Sequence, residues 1–192
     1  MLPTELPLTL LCHPATPAPV VRTIEAYASW STNGVLELAY RLRGDMARLL
    51  IPQAQPPGQV DGLWEHSCFE AFVGIMGETA YHEFNFSPSG QWAAYAFSSS
   101  HQRDEGSPLL TPPQITTSLS AGRLELTALI PATVLPANVA TARLQVGLTA
   151  VVEAADIVDG SHSYWALRHT GARPDFHQRD GFALELPPPQ VV

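Results

Sequence analysis

The chain has 192 residues, 45% of them hydrophobic, and carries eighteen Asp and Glu against ten cations, all arginine, for a formal net charge of −8. That length fits one domain, large enough to bury roughly 70% of its unfolded surface without a disulfide or metal staple. The acidic balance, with no basic cluster, argues against nucleic acid as a partner. The absence of lysine removes Schiff-base and P-loop lysine chemistry.

The opening MLPTELPLTLLCHP has Glu5 in place of a positive start, and Leu11 precedes Cys12 where a lipoprotein signal needs a small residue. It reads as a first strand over 6–11, not as a signal peptide. No stretch reaches the ~18 uninterrupted apolar residues of a membrane span, so the expectation is a soluble cytoplasmic protein with no membrane partner. Further strands are expected at 24–30, 35–42 and 48–51, with Leu36, Leu38, Tyr40 and Leu42 sharing one face. Two strands with a sharp turn and a third strand are expected within 64–97. Then come 115–119, 124–130, 144–152, 164–167 and 182–186, with a short helical turn over 131–135. The loops 52–58 and 98–113 are the expected mobile segments, and 187–192 the expected frayed end of a single domain over 1–192. Short strands punctuated by Pro and Gly define the fold class: all-β, a two-sheet antiparallel sandwich.

The segment WEHSCFEAFVGIMGETAYHEFNFSPSGQWAAYAF carries most of the information. If 64–75 is one strand, Phe69, Ala71, Val73 and Ile75 share a face opposite His66, Cys68, Glu70 and Phe72. A hairpin with 81–87 then places Phe84 and Phe86 in the core and gathers Glu70, Glu83 and Asn85 on the second face. Two carboxylates there repel unless a cation, a proton or a ligand hydroxyl intervenes. Arg168 is the expected internal counterion. These four residues form either a structural polar network or a ligand-binding face; a dedicated metal site is a third option. Ser87-Pro88-Ser89-Gly90 is read as a β-turn, since no G-x-S-x-G elbow surrounds either serine.

Trp64, Trp92 and Trp165 are candidate platforms for a sugar ring, because an indole covers an apolar ring face while its N–H donates. For each, filling a core gap is the favoured reading, and Trp64 is the best candidate for exposure. His169, Asp175, His177 and Asp180 contain metal-ligand residue types without a zinc-protease spacing. Asp175 also suits capping of a backbone N–H, with His177 tying the loop to a strand. Cys12 and Cys68 lack a metal-type spacing, and whether they bridge is left open.

The runs LWEHSCFEAFVG, YHEFNFSPSGQWAAYAF and ALRHTGARPDFHQRDGFALEL resemble the bacterial DOMON-like domain, in the subgroup associated with the UDP-N-acetylenolpyruvoylglucosamine reductase type. The resemblance implies a β-sandwich related to family-9 carbohydrate-binding modules, whose members bind haem or sugars. It implies a glycan sandwiched between Trp64 and Trp92 or Trp165, or haem as a possible cofactor with Met46 or Met76 the available methionine ligands. Together with the polar face read above, the expected ligand-binding residues are Trp64, Glu70, Glu83, Asn85, Trp92, Trp165 and Arg168. The expected function is noncatalytic binding of a carbohydrate-like or haem-like small molecule. A protein-interaction module beside an enzyme comes second, and a hydrolase or metal enzyme using His169, Asp175 and His177 third. The protein partner is unknown.

Overall fold

A computed structural model describes residues 6–155 and 161–190. Among them the strands are β1 (Leu8–Cys12), β2 (Val21–Trp30), β3 (Leu36–Gly44), β4 (Cys68–Ile75), β5 (Tyr81–Phe86), β6 (Trp92–Ser99), β7 (Gln102–Arg103), β8 (Gln114–Ser120), β9 (Arg123–Ile130), β10 (Leu144–Ala154), β11 (Ser161–Ala166) and β12 (Leu184–Leu186). They build two facing antiparallel sheets, so the all-β sandwich expected from the sequence is the fold. One sheet runs β1-β2-β3-β9-β8. The other runs β7-β6-β5-β4-β10, with β12 and β11 lying along successive parts of the far edge of β10. β1 joins the two: residues 8–10 pair with β2, whereas Leu11 and Cys12 pair with β11.

Alternation dictates the core. Leu36, Leu38, Tyr40 and Leu42 from β3 and Leu124, Leu126, Ala128 and Ile130 from β9 are all buried against Phe69, Ala71, Val73 and Phe84 of the other sheet. On the outer face of the first sheet the same strands carry charge. Arg41, opposite both Glu25 and Glu125, bonds the latter at 2.8 Å and approaches the former to 3.4 Å. Tyr40 spans the interior: its ring stacks on Phe69 at 4.9 Å and its hydroxyl donates to the Glu70 carbonyl at 2.6 Å. That contact fixes the backbone of β4 at Glu70. Tyr40→Phe leaves the shape intact and removes this bond, so urea unfolding should show a loss of about 1–2 kcal/mol.

Several local expectations need correction. Residues 48–51 are not a strand: a 3-10 turn (Met46–Arg48) leads to a single bridge between Leu49 and Ala154. Met46 and Leu49 are apolar because they cap the core, not because they alternate on a sheet. Residues 64–75 are not one strand either. Gly62, at φ +77°, opens a 3-10 turn (Leu63–Glu65), and β4 begins only at Cys68. The 52–58 loop is fastened by hydrogen bonds from Gln55 N to Ser89 O and from Trp92 N to Gly58 O, and 98–113 contains β7. Trp30 Nε1 donates to the Pro187 carbonyl at 2.8 Å, at the start of the segment expected to fray; residues 191–192 lie outside the described residues. Cys12 and Cys68 are free thiols.

Other expectations are met. Pro131 precedes a 3-10 turn (Ala132–Val134), and Gly90 N bonds Ser87 O at 3.0 Å across the SPSG turn, with Gly90 at φ +91°.

Candidate ligand-binding site

β4 is buried along its whole length, on both faces. One face joins the core between the sheets. The other carries Cys68, Glu70 and Phe72, and joins a second apolar cluster with Leu63, Tyr81, Ala93, Tyr95, Phe97 and Phe182. The sheet register explains this grouping. Glu70 pairs with Asn85 and Phe72 with Glu83 across β4–β5, while Glu83 pairs with Tyr95 and Tyr81 with Phe97 across β5–β6. Glu70, Glu83 and Asn85 therefore share a face, as the alternation predicted. Tyr95 and Phe97 join them because the SPSG turn sets Phe86 opposite Trp92.

The C-terminal segment 171–183 lies over this face like a strap, and the sheet makes room for it with two glycines. A Cβ on Gly74 would sit 2.0 Å from Arg179 Nη1, and one on Gly147 would sit 3.0 Å from the Phe182 ring. Arg179 Nη2 donates to the Ile75 carbonyl at 2.8 Å and to Gln145 Oε1 at 3.0 Å, while its guanidinium stacks over Phe182. Upstream, the Tyr81 hydroxyl and His177 Nδ1 share a 2.8 Å hydrogen bond. Asp175 accepts from the His177 backbone N–H and from Gln178, and lies 3.2 Å from His101 Nε2. The loop-fixing roles expected of Asp175 and His177 are thus the geometry found.

Between strap and sheet lies a cavity of about 570 Å³. Glu70, Phe72, Glu83 and Val151 form its floor. Trp64, Tyr95, Phe97, His101, Arg103 and Tyr164 line its walls, and the strap contributes residues 173–177. Trp64 is 40% exposed and meets the Tyr95 ring edge-on at 5.8 Å. A volume of a few hundred Å³ with aromatic walls and a few polar groups is what small-molecule sites have in common.

Glu70 and Glu83 are 3% and 5% exposed. Thr149 Oγ1 donates to Glu70 Oε2 at 3.0 Å, and Asn85 Nδ2 donates to Glu83 Oε1 at 2.7 Å. Burial, then the neighbouring Glu83 charge, push Glu70 up to about 8. Burial likewise pushes Glu83 to about 7, against the Asn85 hydrogen bond and the field of Arg103. His177 Nε2 is 3.8 Å from Glu83 Oε2, but burial and the charge of His101 hold this imidazole down to about 4. Hydrogen bonds from Gln178, His101 and the His177 N–H outweigh burial at Asp175 and keep it below the usual carboxylate value. Arg103 stacks on the Tyr95 ring at 3.9 Å, and the Tyr95 hydroxyl donates to Asp61.

The residues singled out from the sequence divide sharply. Trp64, Glu70 and Glu83 line the cavity, with Asn85 bonded directly behind Glu83 and fully buried. Trp92 and Trp165 do not; both are buried in the core between the sheets, and Trp165 Nε1 donates to Ser163 Oγ at 3.0 Å. Arg168 is not the internal counterion: it is exposed, beyond the end of β11, and donates to the Asp180 carbonyl. Arg168 falls in phase with Tyr164 and Ala166 along the chain, but the strand stops at Ala166. Nor do His169, Asp175 and His177 converge. His169 bonds the Leu11 carbonyl at 2.8 Å and packs edge-on against His13, off the cavity lining. Among the described residues no group of three or more His, Cys, Asp or Glu is placed to hold a metal. Sequence reasoning missed Tyr164, His101, Arg103 and the aromatic part of the strap. Only Tyr95 and Phe97 carried a local signal, through their alternation with Ala93 after the turn.

The fold and site together define a β-sandwich with a ligand-sized cavity on the outer face of one sheet. Its architecture is similar to the crystal structure of a "putative carbohydrate-binding protein" from Bacteroides uniformis, with a TM-score of 0.61 at 16% identity over 91% of this chain and 82% of that one. No family model and no curated protein sequence matches the chain. At that identity the likeness concerns the fold. No helix among the described residues is long and apolar enough to cross a membrane.

Proposed function

We propose that this protein is a noncatalytic binding domain for a small carbohydrate, held in the cavity between the sheet and the strap. The observation that carries this reading is the pairing of an exposed Trp64 with two buried carboxyls on the floor of the same cavity. The tryptophan offers a flat face to a pyranose ring, and the carboxyls offer hydrogen bonds to its hydroxyls. The similar fold of a protein described as carbohydrate-binding supports it further.

Haem fits the lining less well. Neither Met46, buried in the core, nor Met76, exposed at a hairpin end, lines the cavity, and the two histidines that do, His101 and His177, are engaged by Asp175 and Tyr81. A protein-interaction module predicts instead that this face is plugged, whereas it is open over a cavity of about 570 Å³.

Thermal-shift titration with mono- and oligosaccharides should give a saturable rise in Tm. Trp64→Ala should weaken that binding roughly five- to tenfold and leave Tm without ligand almost unchanged. If no sugar shifts Tm at millimolar concentration, the proposal fails. A Soret band after expression with haem available would replace it with the haem reading.

A further inference from the structure

Resting on the carbohydrate reading, we propose that the cavity selects an amine-bearing sugar, whose ammonium group sits between the carboxyls of Glu70 and Glu83. The two carboxyls are built alike. Each has one oxygen anchored by a neutral donor, Thr149 for Glu70 and Asn85 for Glu83. Each leaves its second oxygen without a hydrogen-bond partner among the described residues, on a side chain that lines the cavity. Only the His177 imidazole comes near, 3.8 Å from Glu83 Oε2, which is beyond hydrogen-bond length. The residues sit on adjacent strands, diagonal to one another, since Glu70 faces Asn85 and Glu83 faces Phe72.

A buried carboxyl pair is normally neutralised by an arginine or lysine. The chain has no lysine, and among the described residues no arginine forms an ion pair with either carboxyl. Of the arginines that line the cavity, Arg103 is stacked on Tyr95 near Asp61 and reaches Glu83 only through its field, and Arg173 is exposed on the strap. His101 is engaged with Asp175. The positive charge that this pair lacks within the chain is the one a ligand can bring.

An ammonium group has three donors and no acceptor, which matches two acceptor oxygens better than a hydroxyl does. It offsets both the burial cost of the carboxylates and their mutual repulsion. Its ring then lies toward Trp64, which offers it an indole face. A neutral sugar hydroxyl can donate to the same oxygens but brings no charge to offset their burial.

The test compares glucosamine, galactosamine and mannosamine with glucose, galactose, mannose and N-acetylglucosamine, titrated into the full chain at pH 7 by calorimetry. At least one amine should bind roughly tenfold or more tightly than its neutral counterpart, and acetylation of the amine should erase the gain. In Glu70→Gln and in Glu83→Gln, each verified as folded by circular dichroism, the amine-to-neutral ratio should fall toward one. Two variants are used so that misfolding of either leaves the ratio measurable. Equal or tighter binding of the neutral sugars overturns this inference while the carbohydrate reading stands. Binding of no sugar at all overturns both.

Discussion

Glu70→Gln is expected to stabilise the protein at pH 8 and to leave it unchanged at pH 4. In the fold Glu70 titrates near 8 and Glu83 near 7, against an ordinary value of 4.5 for each. Between those values the folded chain holds more protons than the unfolded one, so stability is full below about 4.5 and declines as pH rises toward 8. Replacing the Glu70 carboxyl with an amide removes its share of that decline. It also lowers the burden on Glu83, whose charge is one cause of the Glu70 shift. An amide oxygen still accepts from Thr149. The gain at pH 8 should be on the order of 3 kcal/mol, or roughly 5–10 °C in Tm for a chain of this size.

His177 sets the opposite limb. Its folded value near 4 lies below the ordinary 6.5, so the folded chain binds fewer protons there and stability falls as pH drops from 6.5 toward 4. With two carboxyls losing stability above 4.5 against one imidazole gaining it, the parent should be most stable between about pH 4 and 5, and Glu70→Gln should broaden that optimum upward toward pH 6. Parallel Tm curves for parent and variant across pH 4–9 would show that the carboxyl is not held neutral by its surroundings.

Arg179→Ala should release the strap while the sandwich stays folded. The guanidinium ties the strap to the end of β4 through the Ile75 carbonyl and to Gln145 on β10, and stacks on the strap's own Phe182. Losing two charge-assisted hydrogen bonds and a cation–π contact should cost about 2–4 kcal/mol. Hydrogen–deuterium exchange should rise in 171–183 and not in β3 or β9, and sugar binding should weaken roughly tenfold as the cavity loses its wall. Gly74→Ala should reproduce the effect with the strap's own residues unchanged. Its new Cβ would lie 2.0 Å from Arg179 Nη1, and the far end of a flexible arginine yields before the backbone does. Arg179→Lys should rescue only in part, because an ammonium can still donate to the acceptors that Nη2 serves but loses the flat guanidinium that stacks over Phe182. Global loss of protection in Arg179→Ala would mean that the strap is part of the folding core rather than a cover on it.

The sequence by itself determined the sandwich and one face of the site. Period-2 alternation in β3, β4, β5 and β9 separates core from cover residue by residue, because a strand turns successive side chains to opposite sides. It placed Glu70, Glu83 and Asn85 together through a hairpin whose short connection leaves few registers. The SPSG turn had a local chemistry of its own and was equally legible.

Only the tertiary structure decided what lies above that face. Trp64, Trp92 and Trp165 look alike in sequence, yet one stands in a 3-10 turn at the cavity and two fill the core. Arg168 is in phase with β11 by counting but lies past its end, so its charge never reaches the carboxyls. The strap came from about a hundred residues downstream, with no periodicity to announce it. Its docking depends on two missing side chains, at Gly74 and Gly147, and on the reach of one arginine. Those are contacts of shape, and alternation along a strand carries no information about them.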